Sequence, residues 1–385
     1  MLQPLPRAAS GTYVRWRRMS EAELRHSPLE AVHRRLGAKL AAFGGWLMPI
    51  EYAGTLSEHR AVRERAGLFD LSHLGKVDVV GPSALPAIQR LFTNDARKVA
   101  VGAAQYHQML NERGGVEEDL FVYRLAEERW FVVPNAANKD KVVAALFDVT
   151  ADEAAVIDHD GWGFLAVQGP RSHAVVAKLW PDAVELPFRG CRTFHRGDAE
   201  VVLARTGYTG ERGYELFADA ETVDDLWDAL VSAGESVGME PCGLGARDVL
   251  RLEMGYALYG QDLVPDRTPL EAGLEWAVSF DKGEFVGRDA LRAQRDGKLP
   301  SRLRGLVTAD RRSIPRAHQR VIANDEELGE VTSGTFSPLL GVGIGLAYLS
   351  PADEFEPGAA VEVDIRGRRA GARVVETPFV KRSPR

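Results

Sequence analysis

The sequence predicts an α+β protein of more than one domain, and three observations carry that prediction. Residues 105–110 and 116–123 form two strand-like arms joined by Asn111-Glu112-Arg113-Gly114-Gly115, a hairpin signal. Strands and helices alternate compactly over residues 75–160, as in a domain with an antiparallel sheet. After Gly287 the texture changes to short β-rich pieces broken by Gly and Pro, the pattern of a small all-β module. At 385 residues the chain exceeds what one hydrophobic core ordinarily serves, so two or three domains are expected.

In chain order, residues 28–43 read as a helix with Leu29, Val32, Leu36 and Leu40 on one side and Gly44-Gly45 as its stop. A second helix spans 57–66, with Ser57 as N-cap and Gly67 as terminator. Residues 76–80 read as a strand closed by Gly81-Pro82, and 83–91 as a helix. The hairpin follows, then a strand at 130–133 and a helix at 139–147. Beyond 160 come a strand at 163–168, a helix at 172–179, a strand at 200–204, a glycine-rich hairpin around 207–216 and helices at 222–234 and 246–258. The last part holds β pieces at 304–308, 330–332, 361–365 and 372–375. Val79-Val80-Gly81-Pro82-Ser83 and Val167-Gln168-Gly169-Pro170-Arg171 each read as a strand, a Gly-Pro turn and a helix start, an echo too short to establish a duplication.

Composition excludes several classes. Hydrophobic residues at 45% and charged residues at 27% argue against disorder throughout. No stretch approaches the roughly 18 consecutive apolar residues of a membrane-spanning helix. A net charge of −7 disfavours duplex nucleic acid as a partner. Two cysteines, Cys191 and Cys242, cannot make a disulfide framework or a four-cysteine zinc site, and read as free thiols in a reducing compartment. Residues 1–20 carry Arg7, Arg15, Arg17 and Arg18 with no acid before Glu21. That charge resembles a transit peptide, but without a secretory apolar core the simpler reading is a disordered tail over 1–27, with Met19 as an alternative start.

The chain has no GxGxxG after a strand, no GxxxxGK[ST], no HExxH, no GxSxG and no CxxC, which disfavours nicotinamide, flavin, P-loop and zinc-protease chemistry. Three segments remain. In 114–123, strand alternation puts Glu117, Asp119, Phe121 and Tyr123 on one side and apolar Leu120 and Val122 on the other. A tight turn at Glu112-Arg113 would set Tyr106 directly across from Asp119, and a one-residue slip would oppose it to Leu120. In 205–215, three glycines would let backbone approach a flat ligand, Tyr208 and Tyr214 offer ring faces, and Glu215 can accept hydrogen bonds from an amino-heterocycle. In 243–253, Arg247 and Arg251 share a helical side, Asp248 can pair with Arg251, and Arg247 in the first turn wants an anionic partner. Tyr256, Tyr259 and Trp276 add aromatic surface. Each segment also has a structural reading: a solvated acidic strand end, a hairpin needing positive φ, a salt-bridged helix. His73, Cys191 and His195 lack the companions that a metal or nucleophile site needs.

Together these segments resemble the aminomethyltransferase (T-protein) family of the glycine cleavage system. The resemblance runs from about residue 27 to 381. It includes Gly44-Gly-Trp-Leu-Met-Pro49, Phe69-Asp-Leu-Ser-His-Leu-Gly75, Thr93-Asn-Asp95, residues 109–123, 205–215 and 243–253, Tyr259-Gly-Gln-Asp262, Thr332-Ser-Gly-Thr-Phe-Ser-Pro338 and Pro378-Phe-Val380. It implies a three-domain cloverleaf around a central folate site. The first domain would be discontinuous (28–74 and 160–285), the second ferredoxin-like (75–159) and the third a C-terminal β-barrel-like module (286–385). The implied reaction moves an aminomethyl group from the lipoyl arm of H-protein to tetrahydrofolate as co-substrate, with no metal, flavin or nicotinamide. It gives ammonia, 5,10-methylenetetrahydrofolate and the dihydrolipoyl protein. The implied catalytic residue is Asp119, and the implied folate contacts are Tyr106, Tyr123, Asn135, Tyr208, Glu215, Arg247, Tyr256 and Trp276.

One departure is visible: Glu118-Asp119 stands where the family usually has Asp-Asp. Pro134, beside Asn135, is a second unusual feature. Loss of ammonia from an aminomethyl thioether passes through a cationic centre that a buried carboxylate stabilises, and burial with Glu117 and Glu118 nearby should raise the pKa of Asp119. The expected location is cytoplasmic, or the mitochondrial matrix in a eukaryote, with the other glycine cleavage proteins as functional partners. The alternative is a folate-binding paralogue, either non-catalytic in iron–sulfur maintenance or a folate-dependent demethylase. A folate-side subunit serving a separate flavin protein of the dimethylglycine or sarcosine oxidase type also remains open.

Overall fold

Glycine geometry decides the first elements. Gly37, at φ +70°, ends a short helix Glu30–Arg35, and the chain then runs as the strand Lys39–Phe43 antiparallel to Trp46–Glu51. Gly44 and Gly45, both at positive φ, are the tight turn of that hairpin. The single helix expected over 28–43 is therefore replaced by a helix and a strand, and the apparent helical spacing of its leucines is coincidental. The computed structural model describes residues 21–150 and 153–384. Residues 1–20 of the expected tail lie outside the described residues. The rest of that tail is part of the fold: Arg25–His26 pairs with Trp46 and Leu47, and Ser27 is buried with its hydroxyl on Asp70.

The next helix is Thr55–Glu64, so Ser57 lies inside it and is not its cap. The Glu58 carboxylate instead accepts from the backbone N–H of Tyr52 (2.6 Å), Gly54 (3.1 Å) and Gly243 (2.8 Å), tying this helix to the start of Leu244–Glu253. The latter helix stops short of the expected residue 258. Gly255 turns the chain at φ +65°, where a Cβ would meet Thr377 at 2.5 Å.

Two antiparallel layers form the body. A six-stranded sheet has the order Cys191–Arg196, Ala199–Ala204, Gly213–Ala218, Gly163–Gln168, Gly67–Asp70, Glu240–Cys242, with only the last pair parallel. Every residue of its central strand Gly163–Gln168 is buried, as a strand covered on both sides must be. The second sheet is the five-stranded order Ala103–Leu110, Val116–Ala126, Arg129–Val133, Val77–Val80, Ala155–Asp158. Helices Ala84–Leu91 and Lys139–Val149 pack on one side of it through Ile88, Leu91, Val142 and Leu146. Its other side meets the six-stranded sheet through Tyr123, Phe131, Phe164 and Phe217. The two Gly-Pro turns are alike: Gly81 and Gly169 both sit at φ +129°, and each carbonyl accepts from the first turn of the following helix at 3.0 Å.

The C-terminal part is a closed six-stranded barrel in the order Arg302–Thr308, Val342–Leu349, Glu326–Ser337, Arg320–Ala323, Ala360–Ile365, Arg368–Val375. All four β pieces read from the sequence fall in it. Its strand Val342–Leu349 and the preceding helix Arg288–Asp296 were not anticipated. Among the described residues, no helix is long and apolar enough to cross a membrane. Cys191 and Cys242 are both buried free thiols.

Candidate active site

The acidic hairpin builds the first wall. A longer turn, 111–115, and a bulge at Met109 and Leu110 each move the register by one residue from the expected one, so Gln108 lies opposite Asp119 and Tyr106 opposite Phe121. The slip is by two residues, which keeps Tyr106 and Asp119 on one side, and they meet diagonally: the Tyr106 hydroxyl donates to Asp119 Oδ2 at 3.0 Å. The reverse side of this strand is not purely apolar, because fully buried Glu118 shares it with Leu120 and Val122.

Asn135 joins the two acids. Its Nδ2 donates to Glu118 Oε1 (2.5 Å), Asp119 Oδ1 (3.1 Å) and the Asp119 carbonyl (3.0 Å). Glu118 Oε1 also accepts from the Asp119 and Asn135 backbone N–H groups. Pro134 therefore leaves the Asn135 side chain aimed at the acids. No cation lies within ion-pair distance of either acid among the described residues, whereas Glu117 is held down first of all by its hydrogen bond to Lys141 at 2.6 Å. Burial pushes the pKa of both Glu118 and Asp119 well above the usual carboxylate range, and for Glu118 the Asp119 charge adds to it. Neither Glu117 nor Glu118, both expected to raise Asp119, is among the main causes of its shift, which is burial.

The glycine-rich turn 205–212 forms the second wall. Glu215, buried in the strand Gly213–Ala218, accepts from the Tyr123 hydroxyl at 3.2 Å and from the Thr206 hydroxyl. Burial raises its pKa, against the opposing effects of Thr206 and Arg247. Tyr208 stacks on Tyr256 with ring centroids 5.6 Å apart and donates to the Ala257 carbonyl. Tyr214, expected to offer a second ring face, points into the core on the far side of the sheet and receives Arg212. The glycines serve protein packing. A Cβ at Gly207 or Gly213 would meet the Gln168 amide at 2.1 or 2.2 Å, and one at Gly210 would meet the Met254 sulfur at 2.3 Å.

Helix Leu244–Glu253 closes the third side. Its two arginines diverge in role. Arg251 is consumed by structure: it pairs with Asp248 (2.8 Å) and Asp262 (2.7 Å) and donates to the Tyr256 carbonyl. Asp262 in turn accepts from Leu258 N–H and the barrel's Ser333 hydroxyl, each at 2.9 Å. The barrel thus clamps the 254–263 segment that carries Tyr256 against the cavity. Arg247 has no carboxylate within ion-pair distance among the described residues. It lies 4.5 Å over the Tyr208 ring, and burial lowers its pKa.

These walls enclose two connected cavities. The inner, about 100 Å³, is lined by Glu215, Tyr123, Asn135, Phe164, Arg247 and Tyr259. The outer, about 310 Å³, runs past Tyr256 to Trp276, whose ring lies 5.3 Å from that of Tyr106. Asp119, Tyr106, Phe121, Gly207, Tyr208 and Ala257 line both, so Asp119 stands at their junction. All nine residues expected at the site line one cavity or the other. Gly207, one of the three glycines singled out in 205–215, lines the junction, whereas the sequence did not point to Arg189 at the outer end or to the partnership of Glu118 with Asn135. A lone Arg-Gly pair carries no sequence signal, and Glu118–Asn135 joins separate strands and loops.

The remaining candidates do not assemble. Among the described residues no three His, Cys, Asp or Glu side chains gather as a metal cluster. His73 is buried, which pushes its pKa down to about 3, and Cys191 is buried, which pushes its thiol up to about 12.

Comparison with known proteins agrees with this architecture. A family model described as the GCVT N-terminal domain matches residues 29–282, and one described as the glycine cleavage T-protein C-terminal barrel domain matches 302–381. The aminomethyltransferase of Frankia alni is 48% identical over 375 residues, covering 94% of this chain and all of that protein. That of Mycobacterium tuberculosis is 45% identical over 359 residues, covering 93% and 97%. The crystal structure of glycine cleavage system aminomethyltransferase T from Bartonella henselae superposes with a TM-score of 0.86 at 36% identity, covering 94% of this chain and 99% of that one. With two consecutive family domains, near-complete coverage by relatives and the same fold, this chain belongs to the glycine cleavage T-protein (aminomethyltransferase) family.

Proposed function

We propose that the protein moves the aminomethyl carbon from the lipoyl arm of H-protein to tetrahydrofolate, releasing ammonia and giving 5,10-methylenetetrahydrofolate. The observation that carries this reading is the Asp119 carboxyl at the junction of a smaller and a larger cavity, held on both oxygens by Tyr106 and Asn135. The donor set suits a pterin. Glu215 at the inner end can accept two N–H groups from an amino-heterocycle, and Tyr208, Phe164 and Phe121 supply ring surfaces. Tyr123 spends its hydroxyl on Glu215 and so orients it. Asn135 orients Asp119, Tyr256 backs Tyr208, and Arg247 offers a buried cation beside the same cavity.

Asp119 does the chemistry in this reading. Departure of ammonia from the aminomethyl thioether leaves a carbon with positive charge. A carboxylate fixed beside it in a site of low dielectric stabilises that charge without reorganising. The carboxyl can also hold or pass a proton at the acceptor nitrogen, since burial brings its pKa towards neutrality. Bacterial relatives support a cytoplasmic location. The division into 28–74 with 160–285, 75–159 and 286–385 follows the two sheets and the barrel, with residues 25–27 added to the first unit.

Turnover with aminomethyl-loaded lipoyl H-protein, with and without tetrahydrofolate, tests the proposal. Tetrahydrofolate-dependent release of ammonia together with methylenetetrahydrofolate is expected. Folate binding without ammonia release would turn the assignment to a binding paralogue.

A further inference from the structure

The reaction at Asp119 gives no task to Glu118, the acid beside it. Glu118 lies on the reverse side of the strand Val116–Ala126, fully buried, and lines neither cavity. Its two oxygens have unlike surroundings. Oε1 accepts three N–H groups: the Asp119 backbone at 3.0 Å, the Asn135 backbone at 3.2 Å and Asn135 Nδ2 at 2.5 Å. Oε2 is just as buried and has no hydrogen-bond partner among the described residues. A carboxylate spreads its charge over both oxygens and wants donors on each. A neutral carboxyl has one accepting oxygen and one that carries the proton. An unbonded hydroxyl costs far less in such a place than unbonded charge, so the unequal surroundings fit the neutral form.

The groups around Glu118 leave its charge uncompensated. In the partner strand Ala103–Leu110, Met109 lies directly opposite and His107 beyond it, where burial pushes the imidazole down to about 3 and so keeps it neutral. The turn 135–138 contributes the uncharged Asn135 and Asn138. In the helix that follows, Lys139 is engaged by Asp158 (2.7 Å) and Asp160 (2.8 Å), and Lys141 by Glu117 (2.6 Å). Tyr259 adds a phenol whose ionisation burial opposes. Asp119 is better placed to be charged. It accepts from the Tyr106 hydroxyl, it opens on both cavities, and the Arg247 cation, which lines the inner one, favours its charged form. The two carboxyls also meet at one nitrogen, Asn135 Nδ2, too close together for two uncompensated charges.

We propose that Glu118 is a neutral positioning residue: the two acids hold one proton between them, on Glu118 Oε2, so that Asp119 alone carries the charge and the Asn135 amide, anchored at Glu118 Oε1, stays aimed at it. The inference rests on the function proposed above, in which Asp119 is the reacting group, and adds what keeps that group charged and in place. Glu118 touches neither substrate and takes no part in bond making. Once it loses its proton the pair carries two charges, Glu118 competes for the Asn135 N–H groups, and the hold on Asp119 loosens. Turnover should fall on the alkaline side for that reason.

The test compares the full-length wild type with Glu118→Leu, which removes the anchor, and Glu118→Gln, which keeps an accepting oxygen but cannot ionise. Infrared spectra at pH 7 read the protonated carboxyl directly, and Glu118→Gln should lack one such band that wild type shows. Steady-state assays with loaded H-protein and tetrahydrofolate read the positioning. Glu118→Leu should lower kcat about tenfold or more with KM for tetrahydrofolate within about twofold, as for a misplaced reacting group. Glu118→Gln should recover most of that loss at neutral pH. Wild-type kcat should decline above about pH 8 as Glu118 ionises, and Glu118→Gln should show no decline there. Identical infrared spectra would overturn the shared proton. A Glu118→Gln as impaired as Glu118→Leu, or a decline common to wild type and Glu118→Gln, would overturn the neutral role. If Glu118→Leu does not fold, the infrared spectrum and pH profile of Glu118→Gln still decide. Absence of tetrahydrofolate-dependent turnover in wild type, with the band lost in Glu118→Gln, would overturn the proposed reaction and the positioning role but leave the shared proton standing.

Discussion

The protein buries carboxylates in two contrasting settings. Glu253, fully buried, accepts from Arg63 Nη2 (2.7 Å), His59 Nε2 (2.8 Å) and the barrel's Ser337 hydroxyl (2.6 Å), while Arg63 also reaches Glu211 at 2.9 Å. Burial opposes ionisation there, yet the His59 and Ser337 hydrogen bonds and the Arg63 charge hold the carboxyl down to about 2. Glu118 is equally removed from water and Asp119 is partly buried at the cavity, but they have amide and phenol partners and no paired cation among the described residues. Burial therefore raises both. The first setting joins the helix Thr55–Glu64, the helix Leu244–Glu253 and the barrel. The second leaves a carboxyl poised at a cavity junction. The same side-chain type is structural where its charge is satisfied and chemical where it is not.

Three substitutions probe that contrast. Asp119→Asn should lower turnover by about 10²–10⁴, the range for a positioned acid–base group, and leave ligand affinity nearly intact. Steady-state assay with loaded H-protein measures it, and near-normal turnover would remove Asp119 from the mechanism. Glu253→Ala should cost about 3–5 kcal/mol of stability, because it strands the buried Arg63 cation without its partner. Denaturant titration reads this, and a loss under about 1 kcal/mol would show that Glu211 alone satisfies Arg63. Glu215→Ala falls between the two regions. It should weaken tetrahydrofolate binding by about 1.5–3 kcal/mol through loss of a charge-assisted pair, and unchanged affinity by calorimetry would place the pterin elsewhere.

How much of this was legible differed between the regions for a physical reason. The hairpin at Asp119 is local: strand alternation and a glycine-rich turn put Tyr106 and Asp119 on one side, and the two-residue register slip preserved that parity. The pairing itself differs from the expected one, because neither the length of the turn nor a bulge can be seen in alternation. Glu253, Arg63 and Glu211 come from three distant segments, and nothing in any one of them announces the others. The short helix and strand between residues 28 and 43 were merged for a related reason. Leucine spacing fits a helix, and only Gly37 at positive φ distinguishes the actual path. Arg189 was invisible because its conformation, not its identity, brings it to the cavity.

Acid and base titrations should separate the two regions by sign. Glu253 is depressed in the fold, so its stabilising contribution is present above its ordinary value near 4.5 and is lost as pH falls towards about 2. Glu118 and Asp119 are raised, so the native state keeps protons that the unfolded chain has released, and their effect is to lower stability as pH climbs from near 4 through their raised values. Asp119→Asn removes one of these buried charges and the repulsion with its neighbour. The variant that has lost turnover should therefore be more stable than wild type at pH 8, by about 1 kcal/mol, as when a destabilised active-site group is removed. Near pH 4, where the wild-type pair is protonated and bears no such penalty, the gain should vanish. Denaturant midpoints of the two proteins at both pH values decide it. A gain of the same size at pH 4 and pH 8 would mean that the asparagine stabilises by packing, and that the poised charge at position 119 costs the fold nothing.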